Sequence, residues 1–135
     1  MRNALRKALR RLGRDDVEVS LLFLDDDGIR EINRTYLNRD YPTNVISFSM
    51  TEGPFGDLNP QVLGDIVISV ERSRAEALES GVPPEDYQDY LIIHGLLHLL
   101  GYDHESPREE DGERMREMER ELFSFIKGYR IGGGE

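Results

Sequence analysis

The stretch Leu91-Ile92-Ile93-His94-Gly95-Leu96-Leu97-His98-Leu99-Leu100 constrains the fold more than any other part of the chain. Pro83-Pro84 precedes it, and together they read as a helix over about 85–100. Its second half is apolar nearly all round, and such a helix belongs in the core of a domain, wrapped by other elements. At 135 residues the chain can bury one core of that kind and is too short for two ordinary ones. The expected organisation is one domain over 1–131 and a flexible glycine tail over 132–135.

The remaining periodicities supply the wrapping. Ala4, Leu5, Ala8, Leu9 and Leu12 recur at helical spacing, which predicts an amphipathic helix over 2–12 ended by Gly13. Val17, Val19, Leu21 and Phe23 alternate as a strand. Asp25-Asp26-Asp27-Gly28 then offers capping oxygens for a helix to about Leu37, with Ile29, Ile32, Tyr36 and Leu37 as its buried stripe. Residues 38–44 form a polar connection, 45–48 a short strand, and the Gly- and Pro-bearing stretch 51–61 a loop. A β-branched strand over 65–70 leads into a helix that ends at Ser80, with Gly81 as its cap. Pro107 opens a final helix to about Ile126, with Met115, Met118, Leu122 and Phe125 facing inward. The expected class is α+β: a small mixed β-sheet packed with about five helices, one of them central and buried and carrying two histidines.

The chain has no cysteine, which excludes disulfides and thiolate metal sites. No stretch is apolar enough for a membrane span, and 1–14 holds no apolar run of the length a secretory signal needs, so a cytoplasmic location is expected. The net charge of −10 argues against a general nucleic-acid coat protein. The charge is uneven: Arg2, Arg6, Lys7, Arg10, Arg11 and Arg14 stand together without an acid, which leaves the rest of the chain at −16. Such a helix face either meets a phosphate backbone or is a solvated surface.

The histidines number three and fall within 94–104. His94 and His98, four apart on a helix, share one face. Gly101 suits the left-handed turn that ends a helix and returns the chain, bringing His104 to the same point. Two helical imidazoles and a third after a glycine have the spacing of metzincin zinc sites. Three neutral nitrogens leave a fourth position open, as in catalytic zinc sites. Zinc is the expected metal, and nickel or cobalt would accept the same ligands. A closed structural site would instead take Asp103 or Glu105 as fourth ligand. A peptidase of this pattern carries Glu after the first histidine, whereas here Gly95 has no side chain to take a proton. Peptidase activity is therefore not expected. Either another carboxylate, Asp65 or Asp103 by position, serves as base, or the metal activates water unaided. Asp103, beside a ligand, is also placed to orient an imidazole.

The segment His94-Gly95-Leu96-Leu97-His98-Leu99-Leu100-Gly101-Tyr102-Asp103-His104 resembles the HGxLHLxGYDH signature of the YbeY family at every fixed position. Pro42-Thr43-Asn44-Val45-Ile46-Ser47-Phe48 resembles that family's PT(D/N)VLSF segment, and Leu63-Gly64-Asp65-Ile66 its LGDI segment. Asn33, Tyr36 and Asp40 fit the helix ahead of them, so the resemblance spans roughly 29–104. It implies a zinc-dependent, single-strand-specific endoribonuclease acting in ribosomal-RNA maturation, at the 3′ end of 16S rRNA, and in ribosome quality control. It implies one zinc held by His94, His98 and His104, and ribosomal RNA as partner, with small-subunit ribosomal proteins as further candidates. The family pattern has Arg after the aromatic of the second helix, where this chain has Leu37. Arg34 and Arg39 flank that place, and Thr43, Asn44 and Ser47 are candidate polar lining of the substrate site. Two other functions remain open on the residues alone: a ribosome-assembly factor with a structural zinc, and a metal hydrolase of a small substrate.

Overall fold

The computed structural model describes residues 2–49, 62–102 and 108–129. Among these the elements run α1 (Asn3–Arg11), β1 (Glu18–Leu24), α2 (Asp26–Leu37), β2 (Val45–Ser49), β3 (Val62–Ser69), α3 (Val70–Ser80), α4 (Pro84–Leu99) and α5 (Glu109–Lys127). The loop expected over 51–61, Pro107 and the glycine tail lie outside the described residues.

β3 is the central strand because its sequence is apolar on both faces. Leu63, Ile66, Val67 and Ile68 are all buried. β1 pairs with it in parallel and β2 antiparallel, which gives a mixed sheet in the order β1-β3-β2. Ile66 and Ile68 turn to one side, where they join Leu91, Ile92, Leu96 and Leu99 of α4 in one core. Val67 turns to the other and packs with Ile46 of β2 and Ile29 of α2. Gly64 is required for the close strand approach, since a Cβ there would lie 2.2 Å from the Phe48 carbonyl oxygen.

α4 fulfils the demand of its sequence. Leu91, Ile92, Ile93, Leu96 and Leu97 are buried, covered by β3, α1 and α5. Capping follows local chemistry: the Asp25 carboxylate accepts from the Gly28 N–H at 2.7 Å, and the Ser69 hydroxyl accepts from the Arg72 N–H at 3.1 Å.

Two expectations need correction, and the basic face of α1 proves partly engaged. The buried stripe of α2 is narrower than its apolar residues suggest: Ile29 is buried, but Tyr36 is 71% and Leu37 41% exposed, and Asn33 is buried instead. On α5 the inward ring is Phe123, while Phe125 is 56% exposed, with the Arg11 guanidinium 4.6 Å from its centroid. The α1 cations are not a uniform open patch. Arg2 pairs with buried Asp89 at 2.7 Å, and Arg11 reaches Glu121 at 3.5 Å.

Candidate functional site

His94 and His98 occupy the side of α4 that faces away from its apolar packing, so both are half-buried beside fully covered neighbours. Their ring centroids lie 4.9 Å apart, with the planes at 70°. Beyond them the helix closes in a Schellman turn. The Gly101 N–H donates to the His98 carbonyl at 3.1 Å and the Tyr102 N–H to the Leu97 carbonyl at 2.9 Å. Gly101 has φ 102°, a conformation that favours glycine. The turn brings Gly101 and Tyr102 to the edge of the cleft that the histidines line.

That cleft has a volume of about 550 Å³. α4 provides its floor, and the end of α2, residues 39–44 and β2 provide its wall. Asn33 holds this wall in place. Its carbonyl accepts from the Arg39 N–H at 3.2 Å, and its side-chain amide donates to the Tyr41 carbonyl at 2.8 Å. Arg39 and Tyr41 are thereby fixed at the cleft edge, next to Leu37.

The sequence-derived candidates separate on this geometry. Arg39, Thr43, Asn44 and Ser47 line the cleft with His94 and His98. Asn44 also has a structural task, since its amide donates to Glu76 of α3 at 2.9 Å. Arg34 does not line the cleft and pairs with Glu31 on its own helix. Asp65 stands opposite Phe48 in the β2–β3 register, on the sheet face turned towards α2, and does not line the cleft. None of the α1 cations lines it either. His104, Asp103 and Glu105 lie outside the described residues.

Among the described residues, no group of three or more His, Asp or Glu is placed to hold a metal ion. The donors that are present suit an imidazole-binding metal: two ring nitrogens on one helix face, with no thiolate in the chain.

Sequence reasoning does not single out Glu119. It sits on α5, 3% exposed, with one carboxylate oxygen against His94 Nδ1 and the other accepting from the Tyr90 hydroxyl at 2.8 Å. Burial, reinforced by the Glu119 charge, pushes the Tyr90 phenol above its usual range, so its hydroxyl is a donor at neutral pH. A signal was available: Met115, Glu119 and Leu122 follow i, i+4, i+7 spacing, which places a carboxylate inside an apolar stripe.

Gly95 faces β3 rather than the cleft. A Cβ there would stand 2.9 Å from Ile66 Cγ2. The position that carries a base in peptidases of this spacing is here filled by sheet packing.

A family model described as "Endoribonuclease YbeY" matches residues 1–127. Among curated relatives, an "Endoribonuclease YbeY" of Syntrophus aciditrophicus is 51% identical over 129 residues, which covers 96% of this chain and 81% of that protein. One of Geobacter sulfurreducens is 46% identical over 127 residues, covering 94% of this chain and 85% of its own length. The solution structure of a Thermotoga maritima protein superposes with a TM-score of 0.65 at 25% identity, covering 93% of this chain and 77% of that one.

Proposed function

The chain belongs to the YbeY family of endoribonucleases, and from that premise we propose that it cuts single-stranded RNA at the cleft lined by His94 and His98, with one metal ion held by these residues and His104. The proposed metal is zinc and the proposed substrate is ribosomal RNA, at the 3′ end of the 16S species, with small-subunit ribosomal proteins as partners in the cytoplasm. The observation that carries the proposal is the pair of half-buried imidazoles, ring centroids 4.9 Å apart, at the floor of a cleft with an arginine on its edge. A metal ion bound there would supply Lewis acidity towards a phosphate oxygen. Arg39, the one cation among the described cleft-lining residues, supplies positive charge to the same phosphodiester. The Thr43 and Ser47 hydroxyls offer hydrogen bonds to sugar or phosphate oxygens. Asp103 stays the proposed orienting or basic carboxylate; Asp65, opposite Phe48 in the β2–β3 register, is not among the described cleft-lining residues.

A second proposal is favoured by a specific observation. Leu37, not arginine, stands on the cleft edge, and the whole chain carries −10, so phosphate is weakly attracted. On that second reading the protein would act as an assembly factor with little turnover. A cleavage assay on matched single-stranded and duplex oligoribonucleotides separates the two. The enzyme reading requires metal-dependent cuts confined to the single strand. RNA binding without cuts, at every metal tested, would leave the assembly factor.

A further inference from the structure

We infer that Glu119 is a positioning residue for His94: it fixes the imidazole tautomer and ring orientation so that Nε2 is the nitrogen presented for metal binding, and Tyr90 fixes Glu119 in turn. The inference deepens the metal assignment proposed above and rests on it for its functional meaning.

The geometry is specific. An ionised carboxylate only accepts hydrogen bonds, so the inference assigns the proton to His94 Nδ1, the nitrogen against Glu119 Oε2. In a neutral imidazole with Nδ1 protonated, Nε2 has the lone pair. Glu119 Oε1 accepts from the Tyr90 hydroxyl at 2.8 Å, which removes the carboxylate's freedom to rotate away from the ring. Tyr90 lies one turn before His94 on α4, while Glu119 comes from α5, so the arrangement also registers one helix against the other.

Packing alone does not account for Glu119. It occupies the position between Met115 and Leu122 where the stripe of α5 calls for an apolar side chain. Burying a carboxylate is costly unless its oxygens are hydrogen-bonded. The other acids of the helix's middle and end, Glu113, Glu117 and Glu121, are exposed. Carboxylates behind ligating histidines act in this way in metal sites generally, orienting the ring and raising its basicity.

The test uses Glu119→Gln, which keeps the shape, and Glu119→Met, which fills the stripe with an apolar chain. Long-range 1H–15N spectra of the metal-free protein report the His94 tautomer directly. Recorded where the ring is neutral, the wild type should show the Nδ1-protonated tautomer; Glu119→Met should lose that preference, and Glu119→Gln, whose amide can turn either its oxygen or its NH2 to Nδ1, should weaken it. Zinc affinity, measured by competition with a chromophoric chelator, should fall about 10- to 100-fold in both variants, and by less in Tyr90→Phe. Glu119→Met should retain or raise the thermal midpoint, which separates positioning from packing. An unchanged tautomer in both variants, or zinc held as tightly as by the wild type, would overturn the inference. The tautomer is read without metal or RNA. A wild type that shows the Nδ1-protonated form yet takes up no zinc would uphold the role of Glu119 and overturn the metal assignment alone.

Discussion

Leu37 stands on the edge of the cleft, 41% exposed, where the family signature has an arginine. With Arg34 turned to Glu31, Arg39 is left as the cation at the described cleft. Leu37→Arg should therefore raise RNA cleavage about a hundredfold, the worth of roughly 3 kcal/mol of transition-state charge stabilisation. A variant with native circular dichroism and an unchanged rate would show that residue 37 does not face the scissile phosphate. Gly95 has the opposite character, set by space rather than charge. Gly95→Ala pushes a methyl towards Ile66 Cγ2, 2.9 Å from the Cβ position, and should cost about 1–3 kcal/mol, read from the denaturation midpoint. The two histidines of α4 are legible in the sequence because i, i+4 spacing fixes a shared face whatever the surrounding fold. Glu119 is not, because a glutamate on an acidic helix resembles a solvated one until the apolar stripe is followed through it.

Among the elements, α4 is the most legible, since a helix whose second half is apolar nearly all round has one possible location. α2 is less so. It covers the sheet with Ile29 and part of Ile32, while Tyr36 meets Phe48 of β2 only edge-on, with ring centroids 5.7 Å apart, and stays, like Leu37, at the surface. On α5 the packing takes Phe123 into the core in place of Phe125. Neither outcome is encoded in one helix's periodicity, because each depends on where the neighbouring element stops. The junction of α1, α4 and α5 is likewise hidden. Buried Asp89 of α4 meets Arg2 at 2.7 Å and Lys127 at 2.6 Å, and Lys127 also reaches Asp86 at 3.1 Å. Asp89→Asn leaves Arg2 against a neutral side chain and Lys127 with Asp86 alone, and should cost about 3 kcal/mol, the lower end for a buried pair because both cations keep some solvent. The pH dependence has a definite sign. Burial draws the Lys127 ammonium down, but its bonds to Asp89 and Asp86 outweigh this and hold it above its usual range. A raised value contributes stability that is complete below the unfolded pKa of about 10.4 and is lost as pH rises through the folded one. Lys127→Met should remove that alkaline loss from the stability profile. An identical alkaline limb in the variant would place its origin elsewhere.

As a whole the molecule is an acidic body, −10 over 135 residues, that must accept a polyanion. Arg2 and Arg11 are engaged in ion pairs, and no α1 cation lines the cleft. Neutralising Lys7 and Arg10 together should then leave the salt dependence of RNA binding unchanged, whereas Arg39→Ala should reduce its logarithmic slope by about 0.7, the single-strand value for one phosphate contact. A flattened slope in the α1 variant would mean that RNA extends over that helix. No described helix is long and apolar enough to cross a membrane. On the proposed function, cleavage belongs to a metal held by the histidines of α4. That assignment is tested most directly by stripping the protein of metal and titrating zinc back while single-stranded RNA cleavage is followed, in the wild type and in a His98→Ala variant of native circular dichroism. Cleavage should be absent at the start, rise with zinc to a plateau near one equivalent per chain, and stay absent in His98→Ala. Undiminished cleavage by the stripped wild type, or by the folded variant, would contradict it.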